Sequence, residues 1–307
     1  MSTEGGTRAV VAALAANLGI AVSKFVAFAL TGSSSMLAEA VHSVADSANQ
    51  VLLLIGGRRA RRAPDAQHPF GYGRVRYVYA FVVAIVLFLV GGVFSIYEGW
   101  HKISHPEELT SPAVAFIVLF VAIGLESFSF RTAVVEANKS RGSYSLLRYV
   151  RRSRQPELPV VLLEDFGALV GLVFALAGVS LAVATGDPRW DGLGAVAVGA
   201  LLIVIAGFLS VEMASLLVGE GALPEETEAV RTALESVPGV DRVIHLRTLH
   251  TGPDELLVGA KIAVTHDDTA AFVARTIDDA EARIRAAVPG ARWIYLEPDL
   301  ERAADKP

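Results

Sequence analysis

Six long apolar segments constrain the fold of this chain more than any other feature. They cover residues 9–30, 36–55, 77–100, 113–135, 158–184 and 193–217. Each is long enough for a tilted transmembrane helix, which needs about 20 residues. Of the 307 residues, 53% are hydrophobic and only 19% are charged, which is too apolar for an ordinary soluble domain. The sequence therefore predicts an α-helical membrane protein with six transmembrane helices.

The second apolar segment carries a stripe of polar residues. His42 and Asp46 are four residues apart on one helix face, Asn49 continues that face, and Glu39 lies nearby. Ionisable residues inside a membrane are costly and usually functional. An imidazole and a carboxylate together suit a divalent transition metal such as zinc. The same stripe could instead form a polar contact between helices, so a metal site needs support from elsewhere in the chain.

The fifth apolar segment carries two adjacent acidic residues, Glu164 and Asp165. The small residues Gly167 and Gly171 follow them and would let this helix approach a neighbour closely. The chain contains no cysteine, which excludes disulfides, thiolate metal sites and cysteine nucleophiles. Any metal site must therefore use histidine and carboxylate side chains.

Basic residues predict the orientation in the membrane. They cluster between the second and third segments and between the fourth and fifth. These residues are Arg58, Arg59, Arg61, Arg62, Arg74, Arg76, Lys139, Arg141, Arg148, Arg151, Arg152 and Arg154. By the positive-inside rule, both loops and both termini lie in the cytoplasm, with the protein in the cell (inner) membrane. We interpret the clusters as topology signals that contact the lipid bilayer and not as a nucleic-acid site.

From about residue 224 the chain changes to the pattern of a small soluble α+β domain. An amphipathic helix over 224–237 is followed by alternating strands over 240–251 and 256–265. A second helix over 268–288 and a short strand over 293–296 complete a helix-strand-strand-helix-strand unit. We expect a transmembrane domain over residues 1–217 and a cytoplasmic domain over 218–307. A domain of this size has a small core, which makes dimerisation plausible.

Four stretches of the sequence carry a resemblance to a known family. Residues 35–46 (SMLAEAVHSVAD) and 65–74 (DAQHPFGYGR) resemble motifs of the cation diffusion facilitator family of divalent-metal exporters. The six helices and the α+β tail agree with that resemblance. Residues 161–165 (VLLED) and 187–191 (DPRWD) are similar to the branch that contains the mitochondrial zinc transporter of animals and its bacterial relatives.

The resemblance implies a homodimer that exports divalent metal, with protons as the counter-ion, through a site between the second and fifth helices. Carried over by position, His42, Asp46 and Asp165 are the implied metal ligands. Val161 occupies the remaining ligand position and cannot bind metal, so Glu164 is the available substitute. Glu164 is offset by about 100° from Asp165 around a helix and would reach the metal from the side. Such a site suits Zn2+, with Mn2+, Fe2+ or Co2+ as alternatives.

The resemblance also marks positions outside the transmembrane site. Asp65 and His68 match a cytoplasmic metal site of some members, but Tyr72 replaces a further histidine, which weakens or removes that site. Arg74 and Glu220 match a charge pair that joins the membrane domain to the tail in relatives. Such exposed pairs usually contribute little stability.

In the tail, Lys261 and Tyr295 stand where some members have histidine ligands. We expect His245, His250 and His266 to be surface residues. The tail is therefore predicted to be a dimerisation module and not a metal sensor.

Three other interpretations remain open at this level. The chain could export manganese or iron(II) with the same architecture, or it could be a non-transporting membrane scaffold whose site has decayed, as Val161 suggests. An intramembrane metal-dependent hydrolase is the third, but the histidine–aspartate pair lacks the glutamate of the HExxH motif. We therefore expect a transporter and not an enzyme.

Overall fold

The long helices account for most of the chain. A computed structural model describes the backbone of residues 3–31, 34–106, 111–265 and 269–300, and describes side chains there except at residues 3–5, 31, 34–39, 41, 42 and 45. The helices before the tail are α1 (Thr3–Thr31), α2 (Ser34–Ala60), α3 (Val75–Val86), a π-helical turn (Leu87–Val93), α4 (Phe94–Ser104), α5 (Pro112–Ser140), α6 (Leu146–Arg152), α7 (Glu157–Thr185) and α8 (Arg189–Val218).

Five helical runs among the described residues are both long and apolar enough to cross a membrane. They are Gly6–Leu30, Val75–Ser104, Pro112–Ser140, Glu157–Thr185 and Arg189–Val218. The α2 helix has 27 residues, which is long enough, but its polar residues make it less apolar than these five. The predicted helical membrane fold is confirmed, with α2 as the sixth long helix.

Glycines bring α8 into contact with the Val75–Ser104 run. A Cβ added at Gly99 would lie 2.6 Å from the carbonyl oxygen of Gly192, and one added at Gly199 would lie 2.7 Å from that of Gly92. Any larger side chain at these positions would force the helices apart. The two helices therefore pack backbone to backbone, as small residues allow in membrane proteins.

The chain divides into two compact units, and the division does not follow the sequence strictly. One unit contains residues 1–59 and 75–214, and the other contains residues 60–74 and 215–307. The loop between α2 and α3 therefore belongs to the same compact unit as the C-terminal part of the chain.

The C-terminal part folds as the predicted α+β unit. Its elements are α9 (Pro224–Glu235), β1 (Arg242–Gly252), β2 (Glu255–Ala263), α10 (Ala270–Ala287) and β3 (Ala291–Asp299). The β2 strand is central, antiparallel to β1 and parallel to β3. Apolar side chains of both helices and the sheet form one core that includes the fully buried Leu234, Ile262 and Ile284. The helix-strand-strand-helix-strand prediction is confirmed.

The loop before α3 packs on this sheet. A Cβ added at Gly73 would lie 2.7 Å from the carbonyl oxygen of Thr251, so only glycine fits there. The ring of Phe70 meets that of Trp293 edge to face at 5.5 Å. His250, which was expected at the surface, is buried at the end of β1. That expectation was wrong because the loop residues that lie near this strand end come from a distant part of the sequence.

Candidate functional site

A cavity of about 250 Å³ lies among the long helices, and its lining is unusually rich in ionisable groups. Among the residues that line it are the polar Asn17, Lys24, Asp46, Glu126, Glu164 and Asp165. They come from the mainly apolar helices α1, α5 and α7 and from the more polar α2. Charged groups in such surroundings are costly and usually serve a substrate or ion pathway.

The α2 helix contributes Asp46 to the cavity. Asp46 is partly buried and lies one helical turn after His42 in the same helix. The side chains of His42 and Glu39, both predicted to be near the site, lie outside what the structure describes. The structure therefore places the α2 carboxylate at the cavity and leaves the proposed imidazole ligand untested.

The α7 helix contributes Asp165, and a serine of α5 holds its carboxylate. Asp165 is buried, and its Oδ2 accepts a hydrogen bond from Ser129 Oγ at 2.6 Å. Ser129 is fully buried. Hydrogen bonds to charged groups are short and strong, so this one fixes the orientation of the carboxylate. The other oxygen, Oδ1, remains the better placed for an additional ligand.

Glu164 is held by two amide side chains of α2. Its Oε1 accepts from Asn49 Nδ2 and its Oε2 accepts from Gln50 Nε2, each at 2.9 Å. Gln50 Oε1 in turn accepts from Asn17 Nδ2 of α1 at 3.2 Å. All four side chains are buried. A polar chain therefore links α1, α2 and α7 beside the predicted metal site.

The fourth ligand position carries no donor. Val161 lies one turn before Asp165 and is completely buried, and its side chain is aliphatic. Among the side chains that the structure describes, no group of three or more His, Asp or Glu residues could hold a metal ion. Asp46, Glu164 and Asp165 nevertheless line one cavity.

Sequence reasoning missed Ser129 and Gln50, which hold the two acidic residues of α7. Ser129 lies three residues after Glu126 and so shares its helix face, which was the available signal. Gln50 directly follows Asn49 at the end of the polar stripe. Both partners are far away in sequence, so the pairing itself was not visible.

The far end of the cavity carries a second set of charges. Lys102 Nζ lies 3.0 Å from Asp191 Oδ2 and 3.5 Å from Glu98 Oε1. A Cβ added at Gly178 of α7 would lie 3.3 Å from Asp191 Cα. At 1.5 Å per residue, Gly178 is about 20 Å along α7 from Asp165. The cavity lining therefore extends from the acidic residues to an ion-paired end.

The loop residues Asp65 and His68 are already engaged with their own loop. Asp65 Oδ2 accepts from the Tyr72 hydroxyl at 2.6 Å, and Oδ1 accepts from the backbone N–H groups of Gln67 and His68. The Tyr72 hydrogen bond is the main reason that the pKa of Asp65 is lowered. The same bond raises the pKa of Tyr72. Tyr72, at the position where the family resemblance implies a histidine, thus supplies a hydrogen bond to Asp65.

Arg74 and Glu220 both contact the backbone of His250. Arg74 Nε and Nη2 each donate to the His250 carbonyl oxygen at 3.3 Å. The His250 N–H donates to the Glu220 carbonyl oxygen at 2.8 Å. Since Arg74 and Glu220 lie in the same compact unit, these contacts fasten the loop within that unit.

Lys261 on β2 forms two ion pairs. Its Nζ lies 2.7 Å from Asp299 Oδ2 and 3.1 Å from Glu297 Oε1, both on the neighbouring strand β3. These two hydrogen bonds, with Asp299 the stronger, raise the pKa of Lys261. Tyr295 and His245 are exposed, and His266 lies outside the described residues.

Named relatives and a solved domain are similar to parts of this chain. The mitochondrial proton-coupled zinc antiporter SLC30A9 of Xenopus laevis is 36% identical over 224 residues, which cover 72% of this chain and 40% of that protein. The cation-efflux pump FieF of Pectobacterium atrosepticum is 27% identical over 293 residues, 94% of this chain and 91% of the pump. A solved C-terminal domain of MamM, in a nickel form, is 20% identical and covers 26% of this chain and 100% of that domain, with a TM-score of 0.25.

The two family matches divide the chain between them. Residues 10–218 match the cation efflux transmembrane domain, and residues 222–299 match the cytoplasmic domain of cation efflux proteins. The matched region spans only about 40% of the length of the SLC30A9 relative. The resemblance found in the sequence motifs is confirmed: the chain belongs to the cation efflux family, the cation diffusion facilitators, and is similar to its mitochondrial zinc antiporters.

Proposed function

We propose that this protein is a proton-coupled antiporter that exports zinc from the cytoplasm by alternating access. The observation that carries the proposal is the cavity in which Asp46 and Asp165, from two different apolar helices, face the same space. Among the described residues that line it, carboxylates outnumber the ammonium groups of Lys24 and Lys102, so a cation or protons are needed to offset the remaining charge. The zinc antiporter similar to this chain supports zinc as the substrate.

The transported ion is held by His42, Asp46 and Asp165, with Glu164, the neighbour of Asp165 in α7, as a further carboxylate of the same cavity. One imidazole and two or three carboxylates form a mixed nitrogen and oxygen set that suits tetrahedral zinc. Alternating access requires two packings of the long helices, biased by whether metal or protons occupy the site.

Protons and metal compete for the same atoms. A metal ion binds neutral imidazole and ionised carboxylates, so its binding releases the protons held there. The empty, protonated site can then return to the cytoplasmic side. Inward movement of protons thereby drives metal outward.

The arrangement in the cell follows from charge and domain organisation. Basic loops on one side favour cytoplasmic termini in the inner membrane. Residues 1–217 form the transport domain. Residues 218–307 form a cytoplasmic domain through which two copies associate as a homodimer, in keeping with the match to the cytoplasmic domain of cation efflux proteins.

The test is zinc-dependent proton movement in sealed proteoliposomes that contain the purified protein. An imposed proton gradient should drive zinc transport, and added zinc should move protons in the opposite direction. Asp46→Ala and Asp165→Ala should each abolish both movements while the dimer still assembles. Manganese, iron(II) and cobalt serve as competing substrates, and faster transport of any of them would replace zinc in the proposal. Wild-type rates in either variant would remove the proposed site.

A further inference from the structure

We infer that Gln50 and Asn49 are positioning residues that hold the Glu164 carboxylate against α2 and keep it off the transported cation. This inference rests on the proposed function, since it concerns the ligands of the same cation. It assigns the α7 ligand to Asp165 alone. Glu164 then serves to join α1, α2 and α7.

The orientation of the Gln50 amide is fixed from its far side. Asn17 Nδ2 donates to Gln50 Oε1, so the Gln50 oxygen must face α1. Gln50 Nε2 is then directed at Glu164 Oε2, 2.9 Å away. Turning the amide over would place two donors face to face at Asn17 and break both bonds. Asn17 therefore prevents Gln50 from releasing Glu164 by a simple flip.

The hydrogen bond to Glu164 orients the Asn49 amide and leaves the amide oxygen of Asn49 buried. Asn49 Nδ2 donates to Glu164 Oε1, while Asn49 Oδ1 is buried without a hydrogen-bond partner among the described residues. A buried acceptor without a partner is costly and is tolerated only when a stronger interaction requires it. A charge-assisted bond to a carboxylate is such an interaction. Both oxygens of Glu164 are thus engaged by α2.

The two adjacent carboxylates of α7 consequently have different partners. Glu164 receives one amide donor on each oxygen, whereas among the described side chains Asp165 receives a single hydroxyl donor, on Oδ2. Val161 leaves the site one protein ligand short of four. If the amides released Glu164, its carboxylate could reach the cation and fill that place. The amides therefore keep the site incomplete, which favours release of the ion.

Gln50→Met tests this because methionine keeps the length of the side chain but donates no hydrogen bond. The matched control is Ser47→Ala, since Ser47 is buried in the same helix but donates only to the Ser43 carbonyl of its own helix. Two readouts are needed: the zinc Kd of the purified full chain by calorimetry, and the KM and maximal rate of transport in proteoliposomes. Gln50→Met should lower the zinc Kd about tenfold, which is the size of effect typical for residues next to a metal ligand. It should also lower the maximal transport rate.

The effect must depend on Glu164 if Gln50 acts through it. On the Glu164→Gln background, Gln50→Met should change neither the Kd nor the maximal rate. Asn17→Ala should act in the same direction as Gln50→Met and tests the inference if Gln50→Met does not fold. A weaker Kd at an unchanged maximal rate would show that Gln50 aims Glu164 at the metal, which overturns the inference. Equal effects on both backgrounds would show a purely structural role and also overturn it. If the unaltered protein transports no zinc, the proposed function fails and the inference fails with it.

Discussion

Ser129 Oγ donates a hydrogen bond to Asp165 Oδ2 across the contact between α5 and α7, at 2.6 Å and with both side chains buried. The bond engages Oδ2 of the carboxylate, and the proposed function assigns Oδ1 to the transported ion. Hydrogen bonds to charged groups contribute about 1.5–3 kcal/mol. Under that proposal, Ser129 is a direct hydrogen-bond partner of a metal ligand.

Ser129→Ala should weaken zinc binding about tenfold, because Asp165 would lose its fixed orientation. Calorimetric Kd and transport KM should rise together. Thr132→Ala is the matched control on the same helix, since the Thr132 hydroxyl donates only to the Phe128 carbonyl of its own helix. Equal zinc affinity of Ser129→Ala and Thr132→Ala would show that the bond to Asp165 has no role in metal binding.

A second prediction concerns Glu164→Gln, which removes the charge but little volume. The introduced amide can accept from Gln50 and donate to Asn49 once the Asn49 amide turns over and presents its Oδ1. The variant should therefore fold with an unchanged melting temperature and keep the zinc Kd within about twofold, because Glu164 is not a ligand. A large loss of zinc affinity in a normally folded variant would place Glu164 among the ligands.

Val161→His on the Glu164→Gln background should tighten zinc binding, since position 161 lies one turn from Asp165. Histidine is larger than valine, and the site is fully buried, so about 1–3 kcal/mol of stability should be lost. Val161→Leu is the control for size without a ligand atom. If Val161→His and Val161→Leu bind zinc equally, position 161 does not face the metal together with Asp165.

The sequence predicted the fold well where the signal was local. Helix length and hydropathy defined the long helices, and alternation of apolar residues defined β1 and β2. The short helix α6 was missed because seven residues are too few for a periodic pattern. Its one local signal was Ser145, whose side chain caps the helix by accepting from the Arg148 N–H.

The site was predictable in its acidic residues but not in their partners. Motif spacing singled out Asp46, Glu164 and Asp165, and all three line one cavity. The bonds to Ser129 and Gln50 join residues 36 and 114 positions apart, respectively. Such pairs depend on how helices pack in three dimensions, which a single sequence does not encode locally. The burial of His250 was missed for the same reason.

A fourth prediction concerns the loop before α3, where Tyr72→Phe removes one hydrogen bond and leaves the ring in place. The ring still meets that of His68 in a tilted contact, with centroids 4.3 Å apart, and its centroid still lies 4.8 Å from the Arg62 guanidinium carbon. Without the hydroxyl, the pKa of Asp65 should return toward its ordinary value, and residues 61–74 should lose protection from hydrogen exchange. Tyr97→Phe, at an exposed tyrosine of α4, is the control.

The pH dependence of the protection lost in Tyr72→Phe follows from the direction of the Asp65 pKa shift. A lowered carboxyl pKa contributes stability above the ordinary value of about 3.9, and the contribution disappears as pH falls through the lowered pKa. The difference between the wild type and Tyr72→Phe should therefore stay constant from about pH 5 to pH 8 and shrink only below about pH 4. If the difference between the two proteins already disappears near neutral pH, a titrating group other than Asp65 causes it.

The last prediction concerns Lys261, which neutralises two carboxylates of β3 without a metal. A fixed ammonium at this position should make the C-terminal domain independent of divalent cations, so a chelator should change neither the melting temperature nor the dimer of the full chain. Lys261→Met should lower the melting temperature because Glu297 and Asp299, on the same face of β3, would lose their ion pairs with Lys261. Arg285→Met, which breaks the ion pair between Arg285 and Glu281 within α10, is the control and should have a smaller effect.

Since the pKa of Lys261 is raised, the contribution of Lys261 to stability should be complete below the ordinary lysine value of about 10.4. It should be lost only as pH rises through the raised pKa. A wild-type melting temperature that falls on chelation would show instead that this domain depends on bound metal.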